Sequence, residues 1–390
     1  MNQLKFSDKK ILNLNVEKEP LLIFIIFHVV STLNFIMTFN YVNQAYGTNI
    51  WNRHYSGKFD LRSIYLPFSN WDGQHYLILA EKGYDFSERS QAFFPLYPMT
   101  IKLINQGFDN VYLSAFILNT ITTYLLINIF WKYCKHHLDN KNSIRCVIFL
   151  LCYPSSFYIT AFYTEGLFLL ILFNFLYQYE VKKSYKICIF GMLMPLARGQ
   201  ALFFFVGLII LIIIRKIKKE KINFKYEIIV LFSLIIGWLL YFGFMDYTTG
   251  SYLSGLNAQK LYDFGNSLAN IINPSHFVEY LLSNFKGRYS YTNSLTDKLF
   301  IIFGLVSMFL VLKSKYTNWI VYYIVFFFPV ASMGLGGSFV RFSLLMIPFL
   351  SLVIWKEYPK NHRLIYYTMI VFIYFHIHFS QRFILNLWIG

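Results

Sequence analysis

Asp72 and His75 stand three residues apart, with Tyr76 beside them, inside the polar stretch Asn70–Pro98 (NWDGQHYLILAEKGYDFSERSQAFFPLYP). Residues at that spacing share a helix face, so a carboxylate and an imidazole are presented together. Ser69 or Asn70 can cap a helix beginning near Trp71, which puts Asp72 in the first turn. There the helix dipole favours an ionised carboxylate. Such a group at the rim of a membrane cavity could take a proton from a hydroxyl, which is general-base chemistry. Spacing alone also admits a plainer account, with Asp72 a helix-start residue on a solvated loop and His75 an interfacial hydrogen-bonding histidine.

Three more charged residues stand beside apolar runs. Glu165 closes the turn Tyr163-Thr164-Glu165, Arg198 lies in Ala197-Arg198-Gly199-Gln200 after Pro195, and Arg341 follows the GLGGS turn at 334–338. Charge at membrane depth is costly and marks candidate functional sites. A leaving phosphate needs fixed cations, and arginine supplies a planar donor fork for it. The structural alternatives are a helix-dipole acid for Glu165, and snorkelling or pairing with that acid for each arginine. His376 and His378, two apart in the last apolar run, point to different helix faces, a spacing that suits packing better than a metal site.

The elements that must hold these residues are membrane helices. The chain is 56% hydrophobic and 21% aromatic, with only 14% charged residues, against about 25% charged in soluble domains. Span-like runs fall near 21–44, 111–131, 144–162, 163–179, 184–197, 200–214, 227–247, 298–312, 317–334, 341–355 and 364–387. This predicts an all-α polytopic membrane protein with about eleven transmembrane helices in one domain over residues 1–390. The runs at 184–197 and 298–312 are the shortest. Segment 93–107 is broken by Pro95 and Pro98 and interrupted by Lys102, so it reads as an interfacial or partly inserted helix.

With the N-terminus in the cytoplasm, the inner segments carry 22 of the 35 Lys and Arg residues, RKIKKEKINFK at 215–225 being the strongest anchor. The long loops at about 45–92 and 249–297 then face outward. Asp72, Glu165, Arg198 and Arg341 come to that same side from four separate parts of the chain.

The net charge of +16 is scattered in short clusters between apolar runs, which fits membrane topology and not a nucleic-acid face. Cys134, Cys146, Cys152 and Cys188 sit in or beside spans without metal-ligand spacing and read as packing residues. Residues 1–19 are too polar for a cleaved signal peptide, so the first run is expected to act as an uncleaved signal-anchor. There is no phosphate loop or dinucleotide fingerprint. No metal and no cofactor is expected.

Trp71-Asp72-Gly73-Gln74-His75-Tyr76, Ala80-Glu81-Lys82-Gly83-Tyr84 and Ala92-Phe93-Phe94-Pro95-Leu96-Tyr97-Pro98 together resemble the PIG-V mannosyltransferases, the GPI mannosyltransferase II family with its bacterial relatives, within the GT-C superfamily. Phe162-Tyr163-Thr164-Glu165 is similar to that family's Tyr-(Ser/Thr)-Glu segment. Ala197-Arg198-Gly199-Gln200 resembles its Arg-Ser-Asn-Gly turn, with Gly-Gln in place of Ser-Asn, and Arg341-Phe342 before Pro348 resembles a late Arg-Tyr motif.

The resemblance implies a GT-C-type glycosyltransferase whose active site is extracytoplasmic. Its donor would be a polyprenyl-phosphate sugar, with mannose the expected sugar, and its acceptor a lipid-linked or surface glycan. Asp72 matches the position of the catalytic base. Trp71, His75, Glu81, Glu165, Arg198, Gln200 and Arg341 are the expected substrate-binding residues. Transfer is expected to invert the anomeric centre, in a bacterial-type plasma (inner) membrane, with membrane lipids the remaining partners and no nucleic acid. The competing class is a transporter or flippase of lipid-linked or small polar substrates, whose polar groups would sit near the midplane in matching halves. A surface-polysaccharide polymerase or ligase is a second enzymatic alternative.

Overall fold

The computed structural model describes residues 17–46, 64–261, 278, 282, 291–332, 339–358, 362–385 and 387. Parts of the two predicted outer loops (47–63 and most of 262–290) and the GLGGS turn at 334–338 lie outside the described residues.

Each of the eleven apolar runs overlaps a helix among the described residues, the run at 144–162 leaving its helix after Cys152, and no strand occurs among those residues. In chain order the helices are α1 (Lys18–Tyr46), α2 (Asp72–Lys82), α3 (Leu96–Phe108), α4 (Val111–His137), α5 (Asn140–Cys152), α6 (Glu165–Leu176), α7 (Ile187–Ala197), α8 (Ala201–Ile217), α9 (Phe224–Thr249), α10 (Ser254–Gln259), α11 (Tyr291–Leu312), α12 (Thr317–Ser332), α13 (Phe339–Phe342), α14 (Ile347–Glu357) and α15 (His362–Ile384). Side-chain caps start three of them. Asn110 accepts from the Leu113 amide, Asp139 from that of Asn142 and Asn223 from that of Tyr226. Each satisfies one of the amides that a helix start leaves without an intrahelical partner.

Among the described residues four helices are long and apolar enough to cross a bilayer alone, namely Lys18–Phe39, Val111–His137, Phe224–Thr249 and Leu295–Leu312, and a fifth is obtained if the bent α13–α14 pair counts as one span. The remaining runs form shorter, interrupted or more polar helices. Ile26, Val30 and Met37 on α1, and Phe232 and Leu239 on α9, face outward. Each such side chain would cost about 1.5–3 kcal/mol in water relative to burial, and lipid tails remove that cost. α11 begins at Tyr291, seven residues before the predicted run, because the polar residues ahead of Lys298 are also helical. α3 has 13 residues, roughly 20 Å of helix. That is too short for the ~30 Å hydrocarbon core, in keeping with an interfacial helix.

Two packing features place the charged residues. α7 and α9 touch through glycine, and a Cβ on Gly237 would lie 2.5 Å from the Met192 carbonyl and 2.9 Å from the Pro195 ring. The close approach fixes the end of α7, where Arg198 emerges. The segments Phe339–Leu345 and Ile347–Glu357 meet at a 56° bend. Pro348 stands at the start of the second segment, with no amide to donate and a ring that crowds the preceding turn. The bend leaves Arg341 in the short first arm.

Candidate functional site

Asp72, Glu165, Arg198 and Arg341 meet in one cluster. Arg341 Nη1 lies 2.5 Å from Asp72 Oδ2, and Arg341 Nε donates to Glu165 Oε1. Arg198 Nη1 reaches the same Glu165 oxygen at 2.6 Å. One buried carboxylate oxygen therefore holds two guanidiniums, and that of Arg341 also holds Asp72. The Glu165 side chain is 0% exposed and that of Asp72 31%. Glu165 is fully enclosed, whereas Asp72 is partly exposed. Glu165 Oε2 is buried and accepts no hydrogen bond among the described residues.

The surroundings orient both arginines. Arg198 Nε donates to Gln200 Oε1 at 3.1 Å and Nη1 to Thr164 Oγ1 at 2.9 Å. The Arg341 guanidinium lies 4.5 Å from the Tyr163 ring centroid, 5.2 Å from that of Phe342 and 5.3 Å from that of Tyr158. Aromatic faces at such distances attract a cation. Asp297, buried in α11, accepts from the Val340 amide at 3.3 Å and so supports the residue before Arg341. Sequence reading missed Asp297, because Thr296-Asp297-Lys298 has the composition of a loop. It also missed Tyr158, whose ring is indistinguishable by sequence from the many aromatics of the core.

The start of α2 differs from the expectation. Neither Ser69 nor Asn70 caps it. Ser69 donates to the Leu66 carbonyl, and Asn70 donates to the Phe383 and Ile384 carbonyls at 2.7 and 3.1 Å. The Asn70 side-chain nitrogen serves the carbonyls at the end of α15, and no side-chain oxygen caps the start of α2. Trp71 occupies the cap position with φ 56° and makes no side-chain cap. That is a conformation costing a non-glycine residue on the order of 1–3 kcal/mol. In place of a local cap, the Asp72 amide donates to the Tyr163 hydroxyl at 3.1 Å, and that hydroxyl donates to the Asn70 carbonyl at 2.9 Å.

The other expected residues divide. Gln200 joins the cluster through Arg198. Trp71 is half-buried against the core directly before Asp72. His75 stacks on Phe93 at 4.8 Å, and its Nδ1 lies 2.9 Å from Ser90 Oγ. Burial lowers the His75 pKa below its usual value, with Asp72 opposing the shift, so a neutral imidazole is favoured. Burial likewise pushes the neighbouring Tyr76 phenol up to about 12, so it stands as a neutral hydroxyl 3.4 Å from Thr164 Oγ1. Glu81 is exposed in the last turn of α2 and is not brought into the cluster. His376 meets Ser156 and the Tyr153 carbonyl, which is a packing role.

A second polar cluster gathers Glu180, Glu227 and Arg215. Glu180 accepts from Tyr133 at 2.6 Å and from Asn318 and Tyr322, each at 2.9 Å. Arg215 lies 3.4 Å from Glu227, and Tyr179 donates to that acid at 2.7 Å. Glu180 follows α6 in a π-helical turn, Tyr177–Lys182, and Arg215 lies in the last turn of α8. This cluster therefore sits at the opposite ends of the helices whose starts carry Glu165 and Gln200.

Residues 59–247 match the family model described as Mannosyltransferase (PIG-V). The matched region includes Asp72, Glu165 and Arg198 and stops short of Arg341. The chain is 24% identical over 120 residues to GPI mannosyltransferase 2 of Drosophila pseudoobscura pseudoobscura, covering 28% of this chain and 26% of that protein. It is 24% identical over 110 residues to GPI mannosyltransferase 2 of Drosophila melanogaster, covering 25% of this chain and 24% of that one. The chain thus spans about a quarter of the length of the curated relatives it matches. Among solved structures it is similar to the Archaeoglobus fulgidus oligosaccharyltransferase, crystallised with a tethered acceptor peptide. The TM-score is 0.52 at 11% identity, covering 95% of this chain and 55% of that one. The chain is PIG-V-like in sequence over residues 59–247, and its all-α fold is similar to that of the oligosaccharyltransferase.

Proposed function

We propose that this PIG-V-like protein is a membrane glycosyltransferase that moves a sugar, mannose first, from a polyprenyl-phosphate donor to a lipid-linked or surface glycan hydroxyl, with inversion. The observation that carries this reading is the Asp72–Arg341–Glu165–Arg198 cluster, in which one partly open carboxylate stands beside two fixed guanidiniums.

Asp72 takes the proton of the acceptor hydroxyl. The acceptor oxygen then forms its bond to the anomeric carbon as the bond from that carbon to the phosphate oxygen breaks. The lipid phosphate leaves with one more negative charge, and Arg198 and Arg341 meet it with N–H groups not engaged by Glu165, Thr164, Gln200 or Asp72. Attack from the face opposite the phosphate gives inversion. Asp72 is paired with Arg341, so phosphate binding to Arg341 would loosen that pair and leave the carboxylate free to meet the acceptor hydroxyl. His75, Gln200 and Trp71 line the approach to the carboxylate, and Glu81 is proposed to contact the more distant part of the acceptor. The outward orientation, with the site on the extracytoplasmic side of a bacterial-type plasma membrane, is part of the same proposal.

The test is incubation of purified protein with polyprenyl-phosphate mannose, glucose and other lipid-linked sugars, followed by product analysis for donor, acceptor and anomeric outcome. Asp72→Asn should retain its fold and lose about 10²–10⁴-fold in turnover, the usual contribution of a general base. Wild-type turnover in that variant would remove the base assignment. Substrate flux in vesicles with no transfer from any donor would favour a transporter.

A further inference from the structure

We infer that Tyr163 is a positioning residue for Asp72, acting through the two peptide groups that flank Trp71; this rests on the reading of Asp72 as the base. The Tyr163 hydroxyl accepts from the Asp72 amide at 3.1 Å and donates to the Asn70 carbonyl at 2.9 Å. Those atoms belong to the peptides on either side of Trp71, the residue held at φ 56°. A first-turn amide has no partner within its own helix. Here it finds none from a local cap either, since the Trp71 side chain makes no such bond. A phenol has one proton to give and lone pairs to accept with, so this one group uses both capacities to hold the strained link.

The same ring lies 4.5 Å from the Arg341 guanidinium. One side chain therefore touches both members of the Asp72–Arg341 pair, the backbone of the acid and the face of the cation. The segment that carries it is itself tied down, because the Phe162 amide donates to the Phe68 carbonyl at 2.8 Å. Two residues after Tyr163 comes Glu165, which holds both arginines. The turn 162–165 thus sets the relative positions of base and cations from a single short stretch. Without the hydroxyl, the Asn70 carbonyl keeps the Gly73 amide at 3.2 Å, but the Trp71–Asp72 peptide is released and the carboxylate can move with it.

The experiment is Tyr163→Phe, which keeps the ring and its contact with Arg341, measured in the wild-type and Asp72→Glu backgrounds. Misplacement of a reacting group by about 1 Å can cost up to about 10²-fold, so kcat should fall by roughly 10-fold in the wild-type background. Donor KM should stay within about twofold, because binding common to ground and transition states is untouched. In Asp72→Glu the carboxylate sits on a longer arm that the peptide no longer places, and the further loss should be under about twofold, as expected for coupled residues.

Equal losses in both backgrounds, or a wild-type rate for Tyr163→Phe, overturn the inference and leave Asp72 as the base. A fall in the thermal midpoint of more than about ten degrees, beyond what loss of one hydrogen bond produces, assigns Tyr163 a structural role and also overturns it. If Asp72→Glu turns over too slowly to measure, the split between kcat and donor KM decides. Asp72→Asn is assayed alongside, and wild-type turnover there removes the base reading and this inference together.

Discussion

Glu165 Oε1 receives both guanidiniums, so removing its charge strands two buried cations. Breaking a buried pair by deleting one partner costs about 3–5 kcal/mol. Glu165→Gln should therefore lower the denaturation midpoint of the purified protein by several degrees, besides abolishing transfer. Asp72 is less buried and Arg341 keeps Glu165, so Asp72→Asn should lose turnover with the midpoint nearly unchanged. Equal destabilisation by the two variants would contradict this division into scaffold acid and working acid. Arg198→Ala should act chiefly through the lipid-phosphate donor, as a raised donor KM with acceptor dependence preserved. An unchanged donor dependence would return Arg198 to a purely structural pairing with Glu165.

At the scale of elements, the site depends on joints between helices more than on any one helix. Asn70 is buried and donates to the last carbonyls of α15, which ties the segment leading into Asp72 to the far end of the chain. Asn70→Ala withdraws that donor, at a cost of about 1–3 kcal/mol for buried groups left unmade. Backbone hydrogen exchange over 380–385 should rise in this variant, while α4 and α9 exchange as before. Uniform exchange across the protein would show the joint to be immaterial. The bend at Pro348 and the contact of Gly237 with α7 belong to the same class of feature. Pro195, Pro348 and the glycines were visible in the sequence, but not the partners they meet, because close approach between helices leaves no mark along one chain.

At the scale of the molecule, the two polar clusters lie at opposite ends of α6 and α8. The cluster of Glu180, Arg215 and Glu227 sits beside the basic run at 215–225, the stretch that positive-inside topology assigns to the cytoplasm. The Asp72 cluster would then open on the other side. Exposed cysteines introduced at Glu81 and at Lys221, with the four native cysteines replaced, test this directly. In spheroplasts an impermeant thiol reagent should label Glu81→Cys at once and Lys221→Cys only after permeabilisation. The reverse pattern would invert the orientation and place the proposed chemistry on the cytoplasmic side.

Helix identity and the charged residues that sit beside helices were determined by the sequence, since run length, composition and proline are local properties that a bilayer reads directly. Each of the eleven apolar runs overlaps a helix among the described residues for that reason. Local rules failed where a distant group competed. Asn70 prefers the end of α15 to the start of α2, Tyr163 supplies the missing cap, and the polar beginning of α11 is helical with Asp297 turned inward. Only the tertiary structure decided which charges are partners. Asp72 and Arg341 are 269 positions apart, and Glu165 and Arg341 are 176 apart. Pairing at such separations is set by helix packing, which brings the starts of α2, α6 and α8 to the bend before α14, and no spacing rule within one helix reaches that far.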